Sequence, residues 1–431
     1  MAVRNAFGKN VLDRAEPLTV DAALARAHSA ALADTQVGDV GLEIETHLVD
    51  LRAVGQAVAW SRIEAVLPGL RAAARSSSVT IEPGGQVELS GAPEPDIARA
   101  VSAMRHDTQG VRLVLADLCL GLAHAGADPL RPSRRVNPSP RYRALEQHFA
   151  ATGRAGPGTV MMNSTAALQV NLQAGPEREW AERVGRAYRL GPTMLAIAAS
   201  SPWLHGRDSG WKSVRQRAWR GLDRRSCGPM PGCMAGTPDG DADLDPASAW
   251  ARYAMQAPVA FIRTGKDDVM AVGMAVSFEQ WASGSVRLGQ RMPTAADLDI
   301  HLSTLFPPVR LRGYLEVRYL DMAAPRWWPA VAAVLTTLMD DPVAANLATE
   351  ATEPTAQRWI EAARDGLGDK TIAASARRCL AIAADRGPAE LGPAIEDLAE
   401  LVESGRCPGD LLAERLEEVG PFAAFEELAH A

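Results

Sequence analysis

The chain has 431 residues, of which 47% are hydrophobic and 23% charged, close to ordinary globular usage, so disordered, collagen-like and coiled-coil chains are excluded. At roughly 100 to 200 residues per domain, this length allows two to four domains, or one large catalytic domain with a helical appendage. The formal net charge of -7 lacks the basic footprint of a nucleic-acid or membrane-surface binder, and no apolar run approaches the roughly 18 residues of a membrane span. Met1–Leu18 also lacks the apolar stretch of a signal peptide, which predicts a cytoplasmic protein. The five cysteines show neither a CxxC nor a zinc spacing and read as reduced thiols.

Thr19 is placed to cap a helix from Val20 to about Leu32. A strand is predicted over Val37–Val49, with Val40, Leu42 and Ile44 on one face and Glu43, Glu45 and His47 on the other. After a helix near Trp60–Ala74, Val79–Glu82 and Gln86–Ser90 read as a hairpin turned by Pro83-Gly84-Gly85. Helical periodicity runs from Asp96 to Leu122, and another helix is expected over Tyr142–Ala151. Ser164–Ala174 alternates again, Leu168, Val170 and Leu172 opposite Gln169, Asn171 and Gln173. A helix over Glu177–Ala199 precedes a polar stretch with Arg215 and Arg217, and the Gly-, Pro- and Asp-rich Cys227–Ser248 reads as an exposed loop. Strand character returns at Val259–Arg263 and Val269–Met274, then a helix near Thr294–Leu305. In the strand Gly313–Met322, Leu315, Val317 and Tyr319 oppose Glu316 and Arg318. Trp327–Asp340 and Thr355–Leu428 read as amphipathic helices. A boundary near 345 would divide a catalytic unit, 15–345, from a helical one, 346–431.

Four strands thus pair an aliphatic face with a face of carboxylates, amides or a guanidinium. A solvated sheet face explains any one of them. The polar face is nevertheless short of Lys and Thr and carries Glu43, Glu45, Glu82, Glu88 and Glu316. Same-face neighbours lie about 6.5 to 7 Å apart, where buried carboxylates repel by about 2 to 3 kcal/mol per pair at an effective dielectric of about 20. Either the acids are solvated or cations hold them together, and Mg²⁺ shared with nucleotide phosphates is the commonest enzymatic form of the second answer.

Val40-Gly41-Leu42-Glu43-Ile44-Glu45 resembles an opening strand of the glutamate-cysteine ligases of the plant and actinobacterial branch, and Ile81-Glu82-Pro83-Gly84-Gly85-Gln86-Val87-Glu88-Leu89-Ser90-Gly91 is similar to that branch's most distinctive motif. Gln169-Val170-Asn171-Leu172, Ser213–Trp219 and Leu305–Arg310 leading into Tyr314–Arg318 match further, in family order. Gly126–Arg131 and Trp180–Arg183 resemble the actinobacterial members that serve ergothioneine biosynthesis (EgtA type). The resemblance implies an α+β fold: an antiparallel sheet curved into a funnel or half-barrel, ringed by helices, like that of glutamine synthetase, with C-terminal helices. It implies ATP- and Mg²⁺-dependent ligation of L-glutamate to L-cysteine through an acyl phosphate. Glu43, Glu45, Glu82, Glu88 and Glu316 then resemble metal ligands, as does Gln169, which stands where some distant relatives place a histidine. Glu316 and Arg318 are the expected catalytic pair, and Arg215, Arg217 and Tyr142 the expected substrate-binding residues, with Arg141 beside Tyr142. Replacing Glu316 by Gln is expected to stop turnover and leave the fold intact.

Other readings remain open at this point: a carboxylate-amine ligase with another amine acceptor, or a catalytically silent nucleotide-binding protein on the same fold. Asp239, Asp241, Asp243 and Asp245 alternate like a calcium loop, but Leu244 and Trp250 stand where the glycine and the bidentate acid belong. No P-loop, HExxH or Gly-x-Ser-x-Gly occurs. His47, His148 and His301 are isolated and read as hydrogen-bonded structural residues.

Overall fold

The computed structural model describes residues 16–232, 245–265 and 268–431. Thr19 caps α1 (Val20–Ser29), accepting from the Ala22 amide at 3.3 Å. Next come β1 (Val40–Asp50) and α2 (Trp60–Ala73). β2 (Ser77–Ile81) and β3 (Val87–Gly91) form the expected hairpin. Its turn is closed by Glu82 N on Gln86 O at 2.9 Å and Gly85 N on Glu82 O at 3.0 Å, with Gly85 at φ +90, a conformation that favours glycine.

α3 (Ile97–Ala116), capped by Asp96, stops short of Leu122. Cys119 turns the chain at φ 53, and β4 (Leu120–Ala123) pairs with the far end of β1. Strand pairing overrides the helical periodicity there. α4 (Pro140–Ala151) and α5 (Ala155–Ser164) lead into β5 (Ala167–Gln173) and α6 (Trp180–Ala198). A small pair, β6 (Trp203–Leu204) and β7 (Arg207–Asp208), precedes α7 (Val214–Arg220), so the polar stretch holding Arg215 and Arg217 is a helix capped by Ser213. α8 (Arg224–Cys227) and α9 (Pro246–Gln256) flank the Asp-rich segment, whose Asp239, Asp241 and Asp243 lie outside the described residues; Asp245 caps α9.

β8 (Phe261–Arg263) and β9 (Val269–Ala271) pair with each other, followed by α10 (Phe278–Ala282) and α11 (Ala295–Leu302), the latter opened by a Thr294 capping box. The hairpin β10 (Val309–Leu311) and β11 (Tyr314–Asp321) completes the strands. Six helices end the chain: α12 (Trp328–Asp340), α13 (Pro342–Thr352), α14 (Trp359–Arg364), α15 (Lys370–Arg386), α16 (Gly392–Glu403) and α17 (Pro408–His430). Residue 345 falls inside α13, and one hydrophobic core runs from the sheet through α12 to α16.

The main sheet is antiparallel and open, in the order β10-β11-β5-β1-β3-β2, with β4 on the end of β1. Leu42, Ile44, Leu168, Val170, Leu315 and Val317 on one face are at most 1% exposed, and each contributes about 1.5–3 kcal/mol by leaving water. α3, α6 and α12 cover that face. Since side chains alternate along a strand, burial of this set turns the glutamates, glutamine and arginines to the other face, where α4, α5 and α7 stand over them. α17 docks on the far end of β1 and on β4 through Phe425 and Ala429. Among the described residues no helix is long and apolar enough to cross a membrane.

Candidate active site

The polar face opens into a cavity of about 730 Å³. β1 contributes Glu43 and Glu45, the hairpin turn Glu82, β3 Glu88, and β5 Gln169 and Asn171. Arg318 comes from β11, Arg310 from β10, Arg215 and Trp219 from α7, and Arg141 and Tyr142 from α4. Register explains the convergence: Glu43 lies opposite Gln169 on one side and Ser90 on the other, and Glu45 lies opposite Glu88. Directly opposed like charges destabilise a ladder, so this pair calls for counter-charge from the cavity.

Glu43 accepts from Asn171 Nδ2 at 2.9 Å. Glu45 takes the Ala167 amide at 2.8 Å and Gln169 Nε2 at 3.0 Å. Glu88 is held by Thr80 Oγ1 at 2.8 Å and Ser90 Oγ at 3.2 Å. Burial raises the pKa of all four acids above the ordinary carboxylate range, Glu82 furthest, with Glu88 and Glu45 adding to its shift. Among the described residues no three acids, histidines or cysteines close on one point; repulsion keeps the carboxylates on separate partners. The donor set still suits a hard cation: clustered carboxylate oxygens, plus the buried Asn171 Oδ1, which has no hydrogen-bond partner and belongs to a cavity-lining residue.

Opposite the acids stand the guanidiniums. Arg318 donates from Nη1 to Gln169 Oε1 at 2.6 Å and lies 3.2 Å from Glu316 Oε1. Burial would lower its pKa, yet the surrounding acids, Glu316 foremost, hold it above its usual value. Arg215 is 2% exposed. Its Nη2 donates to the Arg318 carbonyl at 2.7 Å and its Nη1 lies 3.8 Å from Asp321, a residue clamped by the Ser200 amide and the Ser201 and Ser213 hydroxyls. Arg215 Nε and Nη1 have no hydrogen-bond acceptor. Two orphaned N–H groups on a buried, cavity-lining cation suit a ligand carboxylate or phosphate. Arg141 is pinned to Ser303 through two hydrogen bonds, 3.0 and 2.9 Å, and Tyr142 beside it is raised in pKa by burial and then by Glu82.

Three expected residues stand elsewhere or in other company. Glu316 does not line the cavity: it is fully buried, gripped by Arg310 through Nε and through Nη2 at 2.8 Å, with Arg318 at 3.2 Å and Arg312 at 3.5 Å. Burial opposes its charge, but Arg318 and Arg310 hold its pKa at about 2. Its partners are therefore arginines and not the other acids. Gln169 turns its amide oxygen to Arg318 and its nitrogen to Glu45, so it bridges them. Arg217 is exposed and outside the cavity, donating to the Ser209 carbonyl at 3.0 Å, because two residues along a helix rotate it about 200° from Arg215. Sequence reasoning assigned no role to Arg310, Arg312, Asn171 or Asp321. Arg310 could have been found by pairing it with Glu316 across the Arg312-Gly313 turn.

The model of glutamate-cysteine ligase family 2 (GCS2) matches residues 39–427. The glutamate-cysteine ligase EgtA of Mycolicibacterium smegmatis is 48% identical over 407 residues, covering 94% of this chain and 94% of that one. The protein of the same name in Mycobacterium tuberculosis is 47% identical over 425 residues, covering 97% and 96%. Among solved structures, the glutamate-cysteine ligase (gshA) of Francisella tularensis, in complex with AMP, gives a TM-score of 0.54 at 13% identity and covers 92% of this chain and 89% of that one, a likeness of fold alone.

Proposed function

The chain belongs to glutamate-cysteine ligase family 2, and we propose that it joins the γ-carboxyl of L-glutamate to the amine of L-cysteine, converting ATP to ADP and phosphate. One γ-carboxylate oxygen attacks the γ-phosphorus and ADP leaves; the cysteine nitrogen then attacks the acyl carbon and phosphate leaves. The EgtA name of the mycobacterial relatives supports use of the γ-glutamylcysteine in ergothioneine biosynthesis, and ATP as a substrate supports a cytoplasmic location.

Glu43, Glu45, Glu82 and Glu88 would hold Mg²⁺, which when bound neutralises the triphosphate and the charge that builds up in phosphoryl transfer. Arg318 faces the transferred phosphoryl group or the glutamate, and the orphaned N–H groups of Arg215 take a substrate carboxylate, fixing orientation as well as charge. Glu316 and Gln169 act by positioning: the first orients Arg310 and Arg318, the second ties Arg318 to Glu45. Tyr142 and Arg141 line the cysteine end. The observation that carries the reading is the meeting of four part-buried acids and the under-bonded Arg215 in one cavity.

The test measures phosphate release by the purified protein with ATP and Mg²⁺, given glutamate alone, glutamate with cysteine, and glutamate with other amines. Release that requires cysteine is the expected outcome. Release with a different amine would reassign the acceptor, and none with any pairing would leave only a nucleotide-binding protein.

A further inference from the structure

A second cavity, of about 230 Å³, lies under α17 beside the end of β4 and shares no lining residue with the first. Trp327, Pro408, Leu411, Leu412, Ala424 and Leu428 give it apolar walls. One lining residue, His124, is 1% exposed, and its Nε2 has no hydrogen-bond partner among the described residues. Arg112 Nη2 donates to the Leu122 carbonyl and to His124 Nδ1, both at 3.1 Å. A guanidinium only donates, so Nδ1 accepts and the proton of the neutral ring sits on Nε2. The 3.3 Å approach of Nδ1 to the same carbonyl then carries no bond. With Nδ1 held by Arg112, Nε2–H is the polar group left for the cavity.

We propose that this cavity binds a small, neutral ring compound, such as an aromatic ketone, whose oxygen accepts the His124 Nε2–H. A buried donor without an acceptor is destabilising until one reaches it. An apolar cavity of about 150 Å³ already holds benzene, so this larger one admits a ring with a short polar substituent. Water is the poorer occupant, since it needs several polar partners and these walls offer few. Charge selects as well. Arg415 and Glu427 also line the cavity, but Arg415 Nε and Nη2 already grip that carboxylate at 2.7 and 2.6 Å, and Nη1 holds Glu418 at 2.7 Å. That pair is left neither a cation nor an anion to recruit. The roof provides a way in: Gly420, at φ 80, breaks α17 between Arg415 and Glu427, and the ion pair spanning the break is exposed and therefore weak.

Isothermal titration of acetophenone and of ethylbenzene, which has the same shape but no acceptor, tests the site without turnover and independently of the reaction proposed above. Each is titrated into wild type, Ala324→Leu and His124→Phe. Acetophenone should bind wild type. Ala324 lines the cavity, so the larger side chain of Ala324→Leu should weaken that binding at least about tenfold. His124→Phe keeps a ring and loses the N–H, so the ratio of the two affinities should move at least about fivefold toward ethylbenzene. If His124→Phe does not fold, Ala324→Leu still locates the site. Acetophenone binding that Ala324→Leu leaves unchanged, or an unchanged ratio in folded His124→Phe, would overturn the assignment, as would a wild type that binds no acetophenone.

Discussion

Glu316 is buried without solvent contact and stays charged because arginines surround it. Removing one partner of such a pair strands the other, at a cost of about 3–5 kcal/mol. Glu316→Gln is therefore expected to lower stability by about that amount as well as activity, contrary to the simple picture of a ligand whose loss spares the fold. Urea denaturation decides it: a midpoint equal to that of wild type would show that Arg310 and Arg318 do not depend on the carboxylate. Glu43 and Glu45 were legible in the sequence because period-two alternation assigns both to the polar face of β1, and Glu82 and Glu88 because the hairpin motif carries them. The arginine partners of Glu316 were not, since Arg310 and Arg312 meet it only once the hairpin has set the register.

The β2–β3 hairpin shows how an element places a side chain. Gly84 has no room for a β-carbon, which would stand 2.1 Å from the Asn163 carbonyl oxygen and 2.7 Å from its Cα, both backbone atoms of α5 that cannot swing aside. Gly84→Ala should thus push the turn off α5, costing about 1–3 kcal/mol by overpacking, and should move Glu82 enough to cut kcat/KM at least about tenfold. Thermal unfolding and steady-state kinetics check the two effects; a variant with unaltered stability and rate would mean the turn can shift freely. The Pro-Gly-Gly signature announced the turn through local conformational preference, but not the helix against which it closes. In the same way α3 was readable up to its cap and through its periodicity, while its end was set by β4 pairing with β1.

His47 and His124 are neighbours where β1 pairs with β4, His301 lies apart on α11, and burial lowers their pKa values to about 4, 3 and 4. His47 and His301 each bond a backbone carbonyl, Ala125 at 3.2 Å and Ala254 at 2.8 Å. As pH falls below 6.5, the ordinary value, the unfolded chain takes up protons first. The stability these residues contribute is complete above about pH 6.5 and is lost as pH drops toward about 4. For His301 alone this amounts to about 3 kcal/mol. The four glutamates with raised pKa values act in the opposite sense, so the test is the difference between two proteins: from pH 7 to pH 4.5 the urea midpoint of wild type should fall relative to that of His301→Gln, and parallel profiles would show that the ring is not held neutral.

What the amino-acid order determined by itself was local: which strands have a polar face, where caps and glycine turns stand, and, through its motifs, the family. Tertiary structure alone decided which polar side chains share the cavity and which neutralise one another. Arg215 and Arg217 have the same chemistry and nearly the same address, yet helix rotation buries one in the cavity and leaves the other at the surface. Glu316 and Glu43 are alike as strand glutamates, and only the hairpin's register brings arginines onto the first. Alternation and capping act over a few residues, whereas charge pairing depends on distances between segments that only folding brings together.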